Sequence, residues 1–136
     1  MAAHSDQFPW PPYYGHFNFF EQRMKEHSQV TTLEAQGGGV YELTNIFGKK
    51  LRIFVCECYS FGAAEYTETK DKLGRLDAII VNSAWCGYTS QAKRLARGEK
   101  VGLFKIGDFM SALNKADFSQ YLNDKEHESF QKNGWL

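Results

Sequence analysis

The stretch from Leu76 to Asn114 constrains this chain most, because it reads as two consecutive strand–helix units. Leu76-Asp77-Ala78-Ile79-Ile80-Val81 is short, mostly apolar and rich in β-branched residues, the pattern of a strand buried on both faces. It breaks at Asn82-Ser83, and Trp85-Cys86-Gly87-Tyr88 forms a loop. Thr89 or Ser90 is placed to cap a helix from Gln91 to Arg97, ended by Gly98. Val101 to Ile106 is a second strand, and Gly107-Asp108 opens a second helix, Phe109 to Leu113. A strand, a helical crossover and another strand imply parallel neighbours with a right-handed connection. The architecture is therefore α/β.

The first half predicts a different arrangement. Phe17, Phe20, Met24 and His27 recur at helical spacing, so Phe17 to His27 is an amphipathic helix. Val30 to Glu34, Val40 to Thr44 and Leu51 to Tyr59 form an antiparallel section, followed by a helix from Ala63 to Lys72. Gly37-Gly38-Gly39 marks a bend, a bulge or a close backbone approach, and Gly48 serves the turn around Asn45 to Lys50. In the longest strand Leu51, Ile53, Val55, Glu57 and Tyr59 share one face, while Arg52, Phe54, Cys56 and Cys58 share the other. Both faces are largely apolar, so the strand is central. Glu57 is the oddity: a carboxylate following three apolar residues is costly unless it is paired, hydrated or bound to metal.

A chain of 136 residues is long enough for one domain with a real core. We divide it into a Pro/aromatic arm (1–16), an α/β domain (17–114) and a tail (115–136). Sixteen basic residues balance sixteen acidic ones, so nucleic acid can be attracted only by a local patch. No run approaches the roughly 20 apolar residues of a membrane span, and no membrane partner is expected. The N-terminus lacks a secretory pattern, and the odd set Cys56, Cys58 and Cys86 fits a reduced, cytoplasmic setting. The triple glycine is no phosphate loop, because no Lys-Ser or Lys-Thr follows and it leads into a strand. Cys56 and Cys58, one residue apart, have no common zinc spacing. A Cys–His nucleophile is disfavoured too, since His4, His16, His27 and His127 sit near the termini.

In order, the pattern resembles the restriction-endonuclease-like fold (PD-(D/E)xK), and within it the Mrr-type restriction endonucleases. The likeness spans roughly Phe17 to Leu113. It is carried by Gly38-Gly39-Val40-Tyr41 before a hairpin, by Val55-Cys56-Glu57-Cys58-Tyr59, and by the closing segment Ala78-Ile79-Ile80-Val81, Gln91 to Ala96 and Val101 to Phe104. The resemblance implies a three-layer fold, a mixed central sheet flanked by helices. It also implies an aspartate at the hairpin start and a glutamate two residues before a lysine, holding Mg²⁺ for phosphodiester hydrolysis. Carried onto this chain, Glu57 matches the glutamate, Tyr59 stands in the lysine position and the aspartate is missing. Glu42, the nearest substitute, is displaced from Glu57's partner position by two to four residues, roughly 7–14 Å at strand rise. The site reads as degenerate.

Three functions from different classes follow. The first is a non-catalytic member of the fold that binds nucleic acid or protein in a regulatory or defence-related role, with no cofactor. The second is a Mg²⁺-dependent nuclease whose Glu42 and Glu57 converge with a migrated Lys70 or Lys93. The third is a small α/β interaction domain unrelated to nucleases. Nucleic acid would be held by Lys93, Arg94, Arg97, Lys100 and Lys105, five basic residues against the single acid Glu99 between Gln91 and Lys105, although a solvated helix face is the better explanation of them. A protein partner or a second copy would be anchored by Trp10, Tyr13, Tyr14, Trp85 and Tyr88, with Phe8, Phe130 and Trp135 beside them. The alternative is that both termini fold back on their own domain.

Overall fold

The computed structural model describes residues 7–12 and 17–136, so the expectations placed on Tyr13 and Tyr14 lie outside the described residues. The chain opens with α1 (Asn18–Glu26), followed by the strands β1 (Val30–Gly37), β2 (Val40–Asn45), β3 (Lys50–Cys56) and the short β4 (Ser60–Phe61). Next come α2 (Ala63–Leu73), β5 (Ala78–Val81), the short β6 (Gly87–Tyr88) and α3 (Ser90–Gly98). The chain ends with β7 (Gly102–Phe104), α4 (Ile106–Ala112), a 3-10 turn (Phe118–Gln120) and α5 (Asp124–Lys132).

Among the described residues the main sheet has the order β1-β2-β3-β5-β7, and β4 pairs with β6 in a small parallel ladder. β2 runs antiparallel to both neighbours, while β3, β5 and β7 run parallel. This is the mixed sheet that the two sequence halves predict. The β1–β2 connection is a two-residue turn at Gly38 and Gly39, with φ of 63° and 85°, the left-handed pair that a tight hairpin requires. Gly39 is constrained twice, since a Cβ there would lie 2.4 Å from the Val55 carbonyl oxygen.

Alternation along the strands divides the core into two layers. Val40, Phe54, Cys56, Ile79, Val81 and Leu103 pack with Tyr66 of α2 and Ala92 and Ala96 of α3. Tyr41, Leu43, Ile53, Val55, Ile80 and Phe104 pack with Phe20 and Met24 of α1 and Phe109 of α4. Helices thus cover both faces, and β5 and the Ile53–Cys56 stretch of β3 that pairs with it are fully buried, as continuous apolar runs predict.

Residues 7–12 and the C-terminal segment fold onto this body. Trp10 is 2% exposed, packed edge-on against Phe61, and Phe8 stacks on Phe54. Phe118 meets Phe109, Tyr121 meets Phe104, and Phe130 is buried beneath Trp135. The segment expected to be a docked tail instead contains α5, started by Asn123. Its Oδ1 accepts from the Glu126 N–H at 2.8 Å while Glu126 Oε1 accepts from the Asn123 N–H.

Candidate functional site

The parallel strands β3, β5 and β7 end side by side, and the residues that follow them line one cleft. Glu57 comes directly after β3, Asn82 and Ser83 after β5, and Lys105 after β7. In open α/β sheets this edge, outside the carboxyl ends of the strands, is where ligands bind. The cleft has a volume of about 400 Å³ and is completed by Phe19 of α1, Trp85, and Ile106 and Gly107 at the start of α4. Phe19 and Trp85 are 56% and 52% exposed, unusually open for such large aromatics.

Glu57 is 5% exposed, and its Oε2 accepts from Asn82 Nδ2 at 2.8 Å. That charge-assisted bond offsets part of the desolvation that makes a buried carboxylate costly. The Asn82 backbone N–H donates to the Cys56 carbonyl, continuing the parallel ladder and turning the amide toward Glu57. Lys105 Nζ donates to the carbonyls of Ser83 and Cys86, tying the β5–β6 loop to the end of β7. Burial lowers the Lys105 pKa, an effect opposed by the Cys86 thiol, and burial raises the pKa of Cys86 itself. Ser83 holds φ at 84°, a left-handed backbone that costs a residue with a Cβ about 1–2 kcal/mol. Its buried Oγ makes no hydrogen bond of normal geometry, and its close titratable neighbour is the Cys86 thiol.

The pair Glu42 and Glu57 does not assemble. Glu42 pairs with Arg52, five residues before Glu57, a separation of roughly 17 Å at strand rise. Val40 of β2 faces one core layer and Val55 of β3 the other, so the alternation that places Glu42 with Val40 and Glu57 with Val55 puts the two carboxylates on opposite faces. Glu42 instead meets exposed Lys50 at 3.7 Å. Tyr59, like Glu57, lies beyond the end of β3, but it is 68% exposed whereas Glu57 is buried. At the hairpin start, where the resemblance implies the aspartate, Tyr41 donates to Glu21 Oε2 at 2.6 Å, and its pKa is raised by burial and by that bond. The facing positions on β3 are the apolar Ile53, opposite Tyr41, and Phe54, opposite Val40. Among the described residues no group of three or more His, Cys, Asp or Glu side chains is placed to hold a metal ion. The residues present do not fit a Mg²⁺ held by two carboxylates.

The basic cluster divides as well. Lys93 is fully buried, its Nζ donating to the Leu103 carbonyl at 2.6 Å and lying 4.0 Å from the Phe104 ring centre. It faces Glu126 at 3.8 Å, and Tyr88 donates to the other oxygen of that carboxylate at 2.5 Å. Arg97 donates to the Gln120 carbonyl through two nitrogens. Lys93 therefore belongs to a buried network joining α3, β6 and α5. Arg94, over the Trp135 ring at 4.8 Å, and Lys100 remain exposed. Lys70 pairs with Glu99 at 2.9 Å. Of the expected partner anchors among the described residues, Trp10 is buried, Tyr88 is engaged with Glu126 and Trp85 is half exposed.

Sequence reading placed Asn82, Ser83 and Trp85 in one loop but did not join them to Glu57 and Lys105. The available signal was the strand–helix–strand pattern itself, since parallel strands bring their carboxyl ends together. No helix of the described residues is long and apolar enough to cross a membrane. No protein-family model, curated protein or solved structure matches the chain.

Proposed function

We propose that this chain is a non-catalytic domain of restriction-endonuclease-like fold that binds nucleic acid at the cleft beyond β3, β5 and β7. The observation that carries the reading is the placement of Glu42 and Glu57 on opposite faces of the sheet, roughly 17 Å apart along it. Hydrolysis by two carboxylates and one metal needs both within a few ångströms of the same phosphate. The three-layer form and the β1-β2-β3-β5-β7 order, with β2 alone reversed, support the fold reading.

Binding is favoured over catalysis by what the cleft offers. It has open aromatic surface from Phe19 and Trp85, a buried acceptor in Glu57 and no histidine among its lining residues. Nucleic acid is favoured over a protein partner because the described terminal aromatics Phe8, Trp10 and Phe130 pack on the domain's own body. A role in regulation or defence follows from fold analogy alone.

The test uses the full chain with labelled single-stranded and duplex oligonucleotides, with and without Mg²⁺ or Mn²⁺. Binding without cleavage is the expected result. Cleavage that disappears in Glu57→Gln would overturn the non-catalytic assignment, and absence of binding would overturn the ligand class.

A further inference from the structure

We propose that a second cleft, between the start of α3 and α5, holds the phosphate group of a phosphate monoester. The inference goes beyond the nucleic-acid reading, because the same group ends a 5′-phosphorylated nucleic acid and a free phosphorylated small molecule.

This cleft has a volume of about 540 Å³ and meets the one beyond the strand ends at Lys105, which lines both. Tyr88 and the first turn of α3 form one side, and α5 forms the other. Four charged side chains line it: Lys93, Lys105, Lys125 and Glu126. Lys93 and Glu126 face each other at 3.8 Å and offset one another. Lys105 Nζ donates to the carbonyls of Ser83 and Cys86, neither of them charged, and an ammonium has a third N–H to give. Lys125 is exposed on α5. Asp108 accepts from Asn123 Nδ2 and acts on Lys93, and Asp124 precedes Lys125, but neither aspartate lines the cleft. Two positive charges of the lining are thus unanswered, the complement of a monoester dianion.

The donors suit phosphate as well as its charge. Planar carboxylates are matched by the arginine fork, and among the described residues no arginine lines the cleft, whereas lysine holds phosphate as a point charge. Ser90 and Ser129 bring hydroxyl groups that can donate to phosphate oxygens. Ser90 is also the first residue of the nine-residue helix α3, and the leading N–H groups of a helix favour an anion. Burial lowers the pKa of both Lys93 and Lys105, so each ammonium stands where little water or negative charge answers it. A bound dianion supplies what is missing. A phosphate fills a fraction of the cleft, which leaves room for the organic part of the ester.

The experiment is isothermal titration calorimetry of the full chain with inorganic phosphate, methyl phosphate and dimethyl phosphate, at constant ionic strength set with chloride. Inorganic phosphate and methyl phosphate are expected to bind, and dimethyl phosphate, a diester with one negative charge, to bind about tenfold more weakly, the loss of one charge-assisted contact. Lys125→Ala is expected to weaken phosphate binding by about the same factor. Lys132→Ala, which removes a charge from the same helix outside the cleft, is expected to leave it unchanged. Lys105→Met is expected to abolish binding, and the Lys125 and Lys132 comparison decides the matter even if that variant does not fold. No response to either inorganic phosphate or methyl phosphate, equal affinity for dimethyl phosphate, or equal effects of Lys125→Ala and Lys132→Ala would overturn the proposal. Labelled oligonucleotides with and without a 5′-phosphate separate the two sources. Tighter binding of the phosphorylated form, lost in Lys125→Ala, assigns the site to a nucleic-acid end, and equal binding of both forms assigns it to a free ester. Phosphate binding without any oligonucleotide binding removes the nucleic-acid reading alone, and oligonucleotide binding without phosphate binding removes this proposal alone.

Discussion

The Glu57 backbone N–H donates to the Trp10 carbonyl at 2.9 Å. The N-terminal arm thereby takes the hydrogen-bonding position that a neighbouring strand would hold at the end of β3. Trp10 itself donates to the Gln7 carbonyl, and its ring is buried against Phe8 and Phe61. The arm closes one core layer and fixes the backbone that presents the Glu57 side chain to the cleft.

Trp10→Ala is therefore expected to destabilise the fold by about 3–5 kcal/mol, the range for emptying a buried aromatic site. Urea denaturation of the two proteins measures it. A partner-binding role for Trp10 predicts the opposite pattern, unchanged stability with lost association, which light scattering would reveal.

Gly38 and Gly39 share the left-handed region but differ in surroundings. A Cβ at Gly38 meets nothing within 4 Å, whereas one at Gly39 lies 2.4 Å from the Val55 oxygen. Gly38→Ala is expected to cost about 1–2 kcal/mol from the backbone alone. Gly39→Ala adds the overpacking term and is expected to cost about 2–4 kcal/mol, with disturbed β2–β3 pairing. Equal losses in chemical denaturation would mean that the hairpin relaxes away from Val55.

The main sheet was largely legible in the sequence because its signals are local. Ala78–Val81 and Gly102–Phe104 fall inside the apolar runs, Thr89 caps α3 through a 3.1 Å bond to the Ala92 N–H, and Gly39 marks a close backbone approach. The long strand was expected to reach Tyr59 but ends at Cys56, because Glu57 pairs with the arm and the chain then enters β4. No local pattern announces a partner supplied from forty-seven residues away. α5 was hidden for a related reason: in Asp124–Lys132 only Phe130 is buried, too little for a visible apolar stripe. Lys93 was misplaced because its charge suggests solvent, whereas its position beside Ala92 and Ala96 belongs to the buried face of α3. The cleft joins the ends of three strands, and its composition emerges only from topology.

Lys93 gives a stability signature with a definite sign. Burial lowers its pKa from 10.5 to about 8, against the opposing influence of Glu126 and Asp108 and with a further lowering from Arg97. Below pH 8 both folded and unfolded chains hold the proton, and the cost of burying the charge is fully present. Between about pH 8 and 10.5 the unfolded chain binds the proton that the folded chain has released, so this group's contribution to stability rises with pH. Tyr88, whose pKa is raised by burial and by Glu126, and the buried thiols act in the opposite direction at the alkaline end. Comparison with Lys93→Met isolates the lysine. The stability of the natural chain relative to the variant is expected to increase from pH 7.5 to 9.5 in urea denaturation. A difference independent of pH would show that Lys93 stays charged throughout.

The exposed and buried members of the basic cluster are expected to respond in separate ways. Arg94 and Lys100 face solvent, whereas Lys93 is enclosed by Leu103, Phe104 and Glu126. If α3 adds backbone contacts to the binding surface, Arg94→Glu with Lys100→Glu should weaken oligonucleotide binding and reduce the salt slope by about two, one for each phosphate contact removed. Stability should be nearly unchanged, since surface charges contribute little. Lys93→Glu places a second carboxylate beside Glu126 in a buried network, and it is expected to destabilise the fold before any effect on binding can be read. Salt titrations of binding, paired with denaturation midpoints, separate the two classes. A stable Lys93→Glu protein with selectively weakened binding would place Lys93 on the surface and contradict the buried network.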